Sequence, residues 1–200
     1  MCRQQLAGGY PSTGAQAIEF EVPAGEVYVS SAGNGLRFYK IEFTYMESSG
    51  GKTPVEYDWN FSSEEWQLEL GRLGASGTDI TDIDRTYDGL QFYSKTKSKY
   101  GSSYIQFGGA GVNKEGGVDR CFRFTAPDNG TLKITASNTG SSEDLTRMVQ
   151  VSVGDDVQSL PGGYPSTSAQ ELEFSIKAGE VTITTTGNGL RFYQISYTNQ

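Results

Sequence analysis

The sequence predicts an all-β protein: an antiparallel β-sandwich, jelly-roll-like, with an extra N-terminal three-strand repeat. Three observations carry that expectation. Short runs alternate apolar and polar residues with period two, glycine- and asparagine-rich turns separate them, and only one short stretch reads as helix. Val27-Tyr28-Val29-Ser30 and Val181-Thr182-Ile183-Thr184 show the alternation most plainly. A right-handed β-helix is the alternative, because it absorbs a repeated segment readily. The strand spacings, roughly 9 to 24 residues, are uneven for its rungs.

The elements follow in chain order. Residues 8–45 and 162–199 align without a gap at an offset of 154, with 23 of 38 positions identical. The preserved pieces are GGYPST, AGEV and GNGLRFY. A period this long exceeds any solenoid rung and indicates duplication of a larger unit. Residues 1–45 are therefore read as a partial duplicate of the C-terminal strands, 46–54 as a linker, and 55–200 as a complete β domain. Ser62–Leu70 is the helical candidate, opened by a Ser-Ser-Glu-Glu sequence that resembles a capping box. Further strands are expected at Phe122-Arg123-Phe124, Leu132-Lys133-Ile134, Val149-Gln150-Val151 and Leu172-Glu173-Phe174. Turns are expected at Pro23-Ala24-Gly25, Gly33-Asn34-Gly35, Asp128-Asn129-Gly130 and Gly187-Asn188-Gly189. PAG and KAG (177–179) are short enough to be hairpin loops between antiparallel neighbours.

Composition then excludes whole classes of function. The 200 residues contain no histidine, which removes imidazole-based hydrolysis and the commonest zinc sites. A net charge of −8 argues against nucleic acid or an anionic membrane as partner. No apolar run approaches the ~20 residues that span a bilayer, and residues 1–20 hold no apolar signal-peptide core. Export, if it occurs, implies a signal that has been trimmed or that lies on a larger parent chain. Cys2 and Cys121 either pair in an oxidising compartment or stand as a terminal thiol and a small core residue.

Carboxylates are available for glycoside hydrolysis at Glu64, Glu65, Glu69, Asp79, Asp82, Asp84 and Asp88, but most lie in solvated stretches. No enzyme activity is expected. Asp79, Asp82 and Asp84, or Asp155 and Asp156, offer oxygen ligands for a structural calcium ion, against the simpler reading of acidic turns. No cofactor is required.

The aromatic residues, 12% of the chain, carry more. A sugar ring has a flat C–H face that a tyrosine or tryptophan can cover, while polar neighbours bond its hydroxyls. Candidates are Tyr10 and Tyr164 in the duplicated GGYPST loops, Trp66, and Tyr93, Tyr100 and Tyr104 in the lysine-bearing FYSKTKSKYGSSY. Lys97 and the paired Arg37 and Arg191 of GNGLRFY are the polar candidates. The alternatives are core packing and, for the lysines, a solvated edge strand. Trp59, Tyr39 and Tyr193 read as core, because Leu190–Ile195 is apolar on both faces under strict alternation.

The succession WNF (59–61), DGLQFY (88–93), YIQFGGAG (104–111), DRCFRFTAPDNGTLKITASNTG (119–140), RMVQVSVG (147–154) and AGEVTITTTGNGLRFYQISYT (178–198) carries a family resemblance. Residues 57–200 resemble the non-catalytic carbohydrate-binding modules appended to xylanases and pectate lyases of gut bacteria, and 8–45 match the C-terminal third again. The resemblance implies a β-rich module, secreted or at the cell surface, that binds plant cell-wall polysaccharide and targets an attached glycoside hydrolase. Xylan is the expected ligand, since a domain of charge −8 repels a polyanion such as pectin. A pectin-binding module of a lyase, or a structural or adhesin-like spacer, are the alternatives.

Overall fold

The computed structural model describes residues 54–113, 115–140, 143–163 and 168–199. The N-terminal repeat 1–45, the linker apart from Pro54, and with them Tyr10, Arg37, Tyr39 and Cys2 lie outside the described residues, as does Tyr164.

Twelve strands and one helix are found among the described residues: β1 (Glu56–Asn60), α1 (Glu64–Gly71), β2 (Ile83–Tyr87), β3 (Leu90–Ser94), β4 (Ser98–Tyr100), β5 (Ile105–Phe107), β6 (Arg120–Ala126), β7 (Gly130–Asn138), β8 (Met148–Val153), β9 (Asp156–Pro161), β10 (Gln170–Ile176), β11 (Gly179–Thr186) and β12 (Leu190–Asn199). Sheet I has the order β10-β7-β12-β5-β4, and β1 shares with β5 the second edge of β12. Sheet II has the order β2-β3-β6-β11-β8-β9. Each ladder between named strands is antiparallel. The β-sandwich expectation holds, and the β-helix alternative, which needs parallel rungs, does not.

Period-two patterning builds the interior. Leu132, Ile134 and Ala136 of β7, Leu172, Phe174 and Ile176 of β10, and Val181 and Ile183 of β11 are buried, alternating with more exposed neighbours until Ser137 and Thr184, which are buried as well. Aromatic rings join the two sheets. Phe107 of sheet I lies 5.0 Å from Phe122 of sheet II, Phe192 lies 5.3 Å from Phe122, and Trp59 lies 5.0 Å from Phe124. Burial of each such side chain stabilises the fold by about 1.5–3 kcal/mol. The polar ends are satisfied: Trp59 Nε1–H donates to the Asp88 carbonyl at 2.8 Å and the Tyr197 hydroxyl to the Asp128 carbonyl at 2.7 Å.

Helix α1 forms close to its expected place. Ser63 is the N-cap and accepts from the Trp66 N–H at 3.3 Å. Glu64 and Glu65 therefore occupy the first turn, where they favour the helix dipole, rather than closing a capping box. Trp66 and Leu70, four residues apart, face the core.

The turns differ from expectation in one respect. The Lys177-Ala178-Gly179 segment is not a hairpin loop. It leads from β10 in sheet I to β11 in sheet II, as Asp128-Asn129 leads from β6 to β7 and Gly187-Asn188-Gly189 from β11 to β12. A two- or three-residue connection fits an in-plane reversal or a step across the sandwich equally well, and alternation within the strands does not separate them. The Ala178 N–H donates to Asn129 Oδ1 at 3.0 Å, tying two of these crossings together. At Gly187 (φ +76°) a Cβ would stand 2.0 Å from the Thr146 carbonyl, so the third crossing requires glycine. True hairpins occur at β2–β3 and β8–β9. Asp88 (φ 48°) and Gly89 (φ 77°) both take the left-handed conformation that a two-residue hairpin turn demands.

Candidate functional site: the outer face of sheet I

The outer face of sheet I gathers the densest set of aromatic and polar side chains from the sequence-derived candidates. Register sets the composition. Lys99 of β4 opposes Gln106 of β5, Gln106 opposes Arg191 of β12, and Arg191 opposes Ser137 of β7, making one row across four strands. Beside the row lie Tyr193 and Tyr104, both half-buried.

A β-bulge delivers Tyr193. Between Phe192 and Gln194 the β12–β7 register shifts, so that Phe192 and Ile195 both enter the core although they are three residues apart. The extra residue is accommodated without orphaning its backbone, because the Tyr193 carbonyl accepts from the Phe61 N–H at 3.0 Å. Its hydroxyl lies 3.0 Å from Ser137 Oγ. The expectation that Tyr193 is core is thus corrected: strict alternation would bury one side of this segment too many. The spacing Phe-x-x-Ile, in place of Phe-x-Ile, was the sequence signal for the bulge.

A close turn delivers Tyr104. The Gly101 N–H donates to the Tyr104 carbonyl at 2.9 Å, and the ring folds back over Gly101, where a Cβ would stand 2.5 Å from the ring carbons. Gln67 Nε2, reaching from α1, donates to the Gly101 and Phe61 carbonyls at 3.1 and 2.6 Å, so the turn and the bulge share one anchor region. Tyr104 and Tyr193 meet at 6.0 Å between centroids and 64° between planes. The Arg191 guanidinium sits 4.9 Å from the Tyr104 ring centre while its Nε donates to Gln106 Oε1 at 3.1 Å.

The remaining candidates separate. Tyr93 is half-buried on the outer face of sheet II, on the opposite side of the sandwich, with the Arg123 guanidinium 5.4 Å from its ring centre. Arg123 Nη1 reaches Gln91 Oε1 at 3.4 Å and Gln91 Nε2 donates to Asp84 Oδ1 at 2.6 Å, so this patch is bonded within itself. Tyr100 is not a platform: it is 4% exposed and its hydroxyl donates to the Gly74 carbonyl at 2.8 Å. Trp66 is not one either. It is 5% exposed, edge-on to Phe61 and Tyr87 at 5.1 and 5.0 Å, because α1 turns its apolar face inward. Lys97 lies apart from both faces' aromatic pairs and is bound to Asp79 at 3.0 Å. Alternation explains the split: the segment 93–104 passes from sheet II to sheet I, so its tyrosines cannot share a surface.

Among the described residues no three acidic or sulfur side chains gather into a set that could hold a metal ion. Of the calcium candidates, Asp79 pairs with Lys97, Asp84 with Gln91 and Asp156 with Lys177. Cys121 is a free, buried thiol in β6 beside Tyr93, and burial pushes its pKa up to about 11. The base of the GGYPST loop is firmly held. The Gly162 N–H donates to the Arg147 carbonyl at 2.8 Å, and the Gly163 carbonyl accepts from the Asp144 N–H at 2.9 Å. Hydrogen bonds from Thr146 and Arg147 lower the Asp144 pKa to about 2.

No protein-family model matches the sequence, and no curated protein matches it. Three of the solved structures that match it are distant likenesses. One is a family two carbohydrate esterase from Cellvibrio japonicus, at 10% identity and a TM-score of 0.42, over 74% of this chain and 34% of the esterase. The chain thus spans about a third of that enzyme's length. The second is the xylan-binding module CBM15, at 8% identity and a TM-score of 0.38, over 58% of this chain and 95% of the module. The third comes from the Ruminococcus flavefaciens cellulosome, described for its expansion in glycan recognition, at 14% identity and a TM-score of 0.33, over 72% of this chain and 94% of that one. At these values the likenesses are distant and assign no residue.

Proposed function

We propose that this domain is a non-catalytic binding module for a plant cell-wall polysaccharide, xylan before others, and that it holds an attached glycoside hydrolase at its substrate as part of an exported chain. One observation carries the reading: Tyr104 and Tyr193, the first braced against Gly101 and the second against the buried Ser137 hydroxyl, stand on an outward β surface with Arg191 and Gln106. Half-buried rings offer flat apolar area whose orientation is already fixed, so little side-chain entropy is lost when a pyranose ring packs on them. The amide, hydroxyl and guanidinium groups supply both donors and acceptors for sugar hydroxyls.

The carboxylates near this face support binding over hydrolysis. Asp58 accepts from Gln194 at 2.6 Å, and Glu171 and Glu173 share Lys133 at 3.0 and 3.8 Å. None of the three stands beside the tyrosine pair as an unengaged acid. Affinity electrophoresis through gels of xylan, β-glucan, mannan and homogalacturonan tests the reading. Retardation by xylan supports it; unretarded migration through every polymer, or release of reducing sugar from them, overturns it.

A further inference from the structure

We infer that the sheet I face recognises an acidic substituent on an otherwise neutral glycan, with Arg191 and Lys99 receiving a uronate carboxylate beside the tyrosine pair. The inference rests on the proposed glycan-binding role of that face and adds the chemical class of the decoration. It starts from an imbalance of charge. Arg191 spends Nε on Gln106 and its π face on Tyr104, and among the described residues neither of its terminal amino groups has a partner. Lys99, one residue from Arg191 along the same row, has no acidic partner among the described residues either. Of the other described lysines, Lys97 is engaged by Asp79, Lys133 by Glu171 and Glu173, and Lys177 by Asp156, while Lys95 lies between β3 and β4, outside this row.

The carboxylates of the face lie in other rows. Glu171 opposes Thr135, Glu173 opposes Lys133, Asp58 opposes Ser196 and Glu56 opposes Thr198. The row of Lys99, Gln106, Arg191 and Ser137 holds none. Within a chain of net charge −8, two uncompensated cations on either side of Gln106 mark a local reversal of sign. Strand spacing sets Lys99 and Arg191 about 10 Å apart at the backbone, within reach of one substituent for two long side chains. The free edge of Arg191 presents two parallel N–H donors, the geometry a carboxylate accepts in bidentate form. At contact distance this attraction outweighs repulsion from the remaining acidic surface, because charges beyond about 8–10 Å are screened at physiological salt. A continuous polyanion gains less, since it must also lay uronates along the rows of Glu171, Glu173 and Asp58.

The test compares glucuronoxylan with the same polymer after carboxyl reduction, and homogalacturonan, by isothermal titration at low and physiological salt. The expected result is at least about tenfold tighter binding to glucuronoxylan than to its reduced form, or about 1.4 kcal/mol. That ratio narrows with salt, and in Lys99→Gln/Arg191→Gln it falls to about one. Equal affinity for the two xylans in the unmodified protein overturns the inference while leaving the glycan-binding reading standing. Tighter binding to homogalacturonan overturns the isolated-substituent form. Binding to none of the three overturns the inference together with the reading beneath it.

Discussion

The two outer faces of this sandwich are made from the same materials and finished differently. Each carries tyrosine against arginine: Tyr104 with Arg191 on sheet I, Tyr93 with Arg123 on sheet II. On sheet II the arginine bonds Gln91 and Gln91 bonds Asp84, so the polar chain ends on a carboxylate of the protein itself. On sheet I the arginine's terminal nitrogens have no partner among the described residues, and a second tyrosine, brought by the bulge, doubles the aromatic surface. The difference teaches that residue type alone does not mark a binding surface. What distinguishes the two is the protein's own carboxylate: Asp84 ends the polar chain on sheet II, and the row of Lys99, Gln106, Arg191 and Ser137 on sheet I holds none.

The largest effect belongs to the core both faces share. Phe122, 0% exposed, packs on Phe61, Phe92, Phe107 and Phe192, and Phe122→Ala should cost about 3–5 kcal/mol in urea unfolding. A loss under 1 kcal/mol would mean that the faces are not held by a common interior. Next comes the direct contrast. Tyr104→Ala should weaken xylan binding by about 1–3 kcal/mol, whereas Tyr93→Ala should change it less than about twofold. The reverse order in titration would transfer the site to sheet II.

Gly101→Ala sharpens the comparison further. The new Cβ meets the far end of the Tyr104 ring rather than backbone, so the ring is displaced and the fold is spared. Binding should drop several-fold with stability unchanged within about 0.5 kcal/mol; binding equal to wild type would show that the ring's placement is immaterial. The smallest effect lies on sheet II. Burial raises the Cys121 pKa from an ordinary 9.0 to about 11, so the unfolded chain loses that proton first. Above pH 9 the folded state therefore binds more protons than the unfolded one, and stability falls as pH rises toward 11. Denaturant midpoints of Cys121→Ala should be flatter across that window, and a parallel decline in both proteins would refute the assignment.

Much of the fold was legible in the sequence because period-two patterning is a local signal. The strands around Phe122–Phe124, Leu132–Ile134 and Leu172–Phe174, and helix α1, lie where alternation and capping residues put them. Sheet membership was not legible, since Lys177-Ala178 connects strands of different sheets by a segment no longer than a hairpin loop. The same limit governed the site. Tyr104 and Arg191 were singled out by residue type, but their pairing depends on Arg191 lying across from Gln106, 85 residues away in sequence. Tyr193 was misread because a bulge adds one residue to the count, and Trp66 because a one-sided helix buries it.

The pairing of β1 with β12 has a mechanical consequence. Glu56 faces Thr198 and Asn60 faces Gln194, so the two strands enter and leave side by side, with Val55 and Asn199 joined by Val55 N–H to Asn199 Oδ1 at 2.8 Å and Asn199 N–H to the Val55 carbonyl at 3.1 Å. Tension applied through those two residues would pull across the ladder rather than along it. Bonds would then break one after another, like a zipper, instead of all at once in shear. Single-molecule pulling at these ends should record a lower rupture force than pulling through the Asp88-Gly89 and Gly154-Asp155 turns, and a higher one would contradict the zipper geometry. A ligand spread over β4, β5 and β12 does not bridge β1, so a chain stretched between Val55 and Asn199 would peel at this seam before the strands of the proposed site came under load.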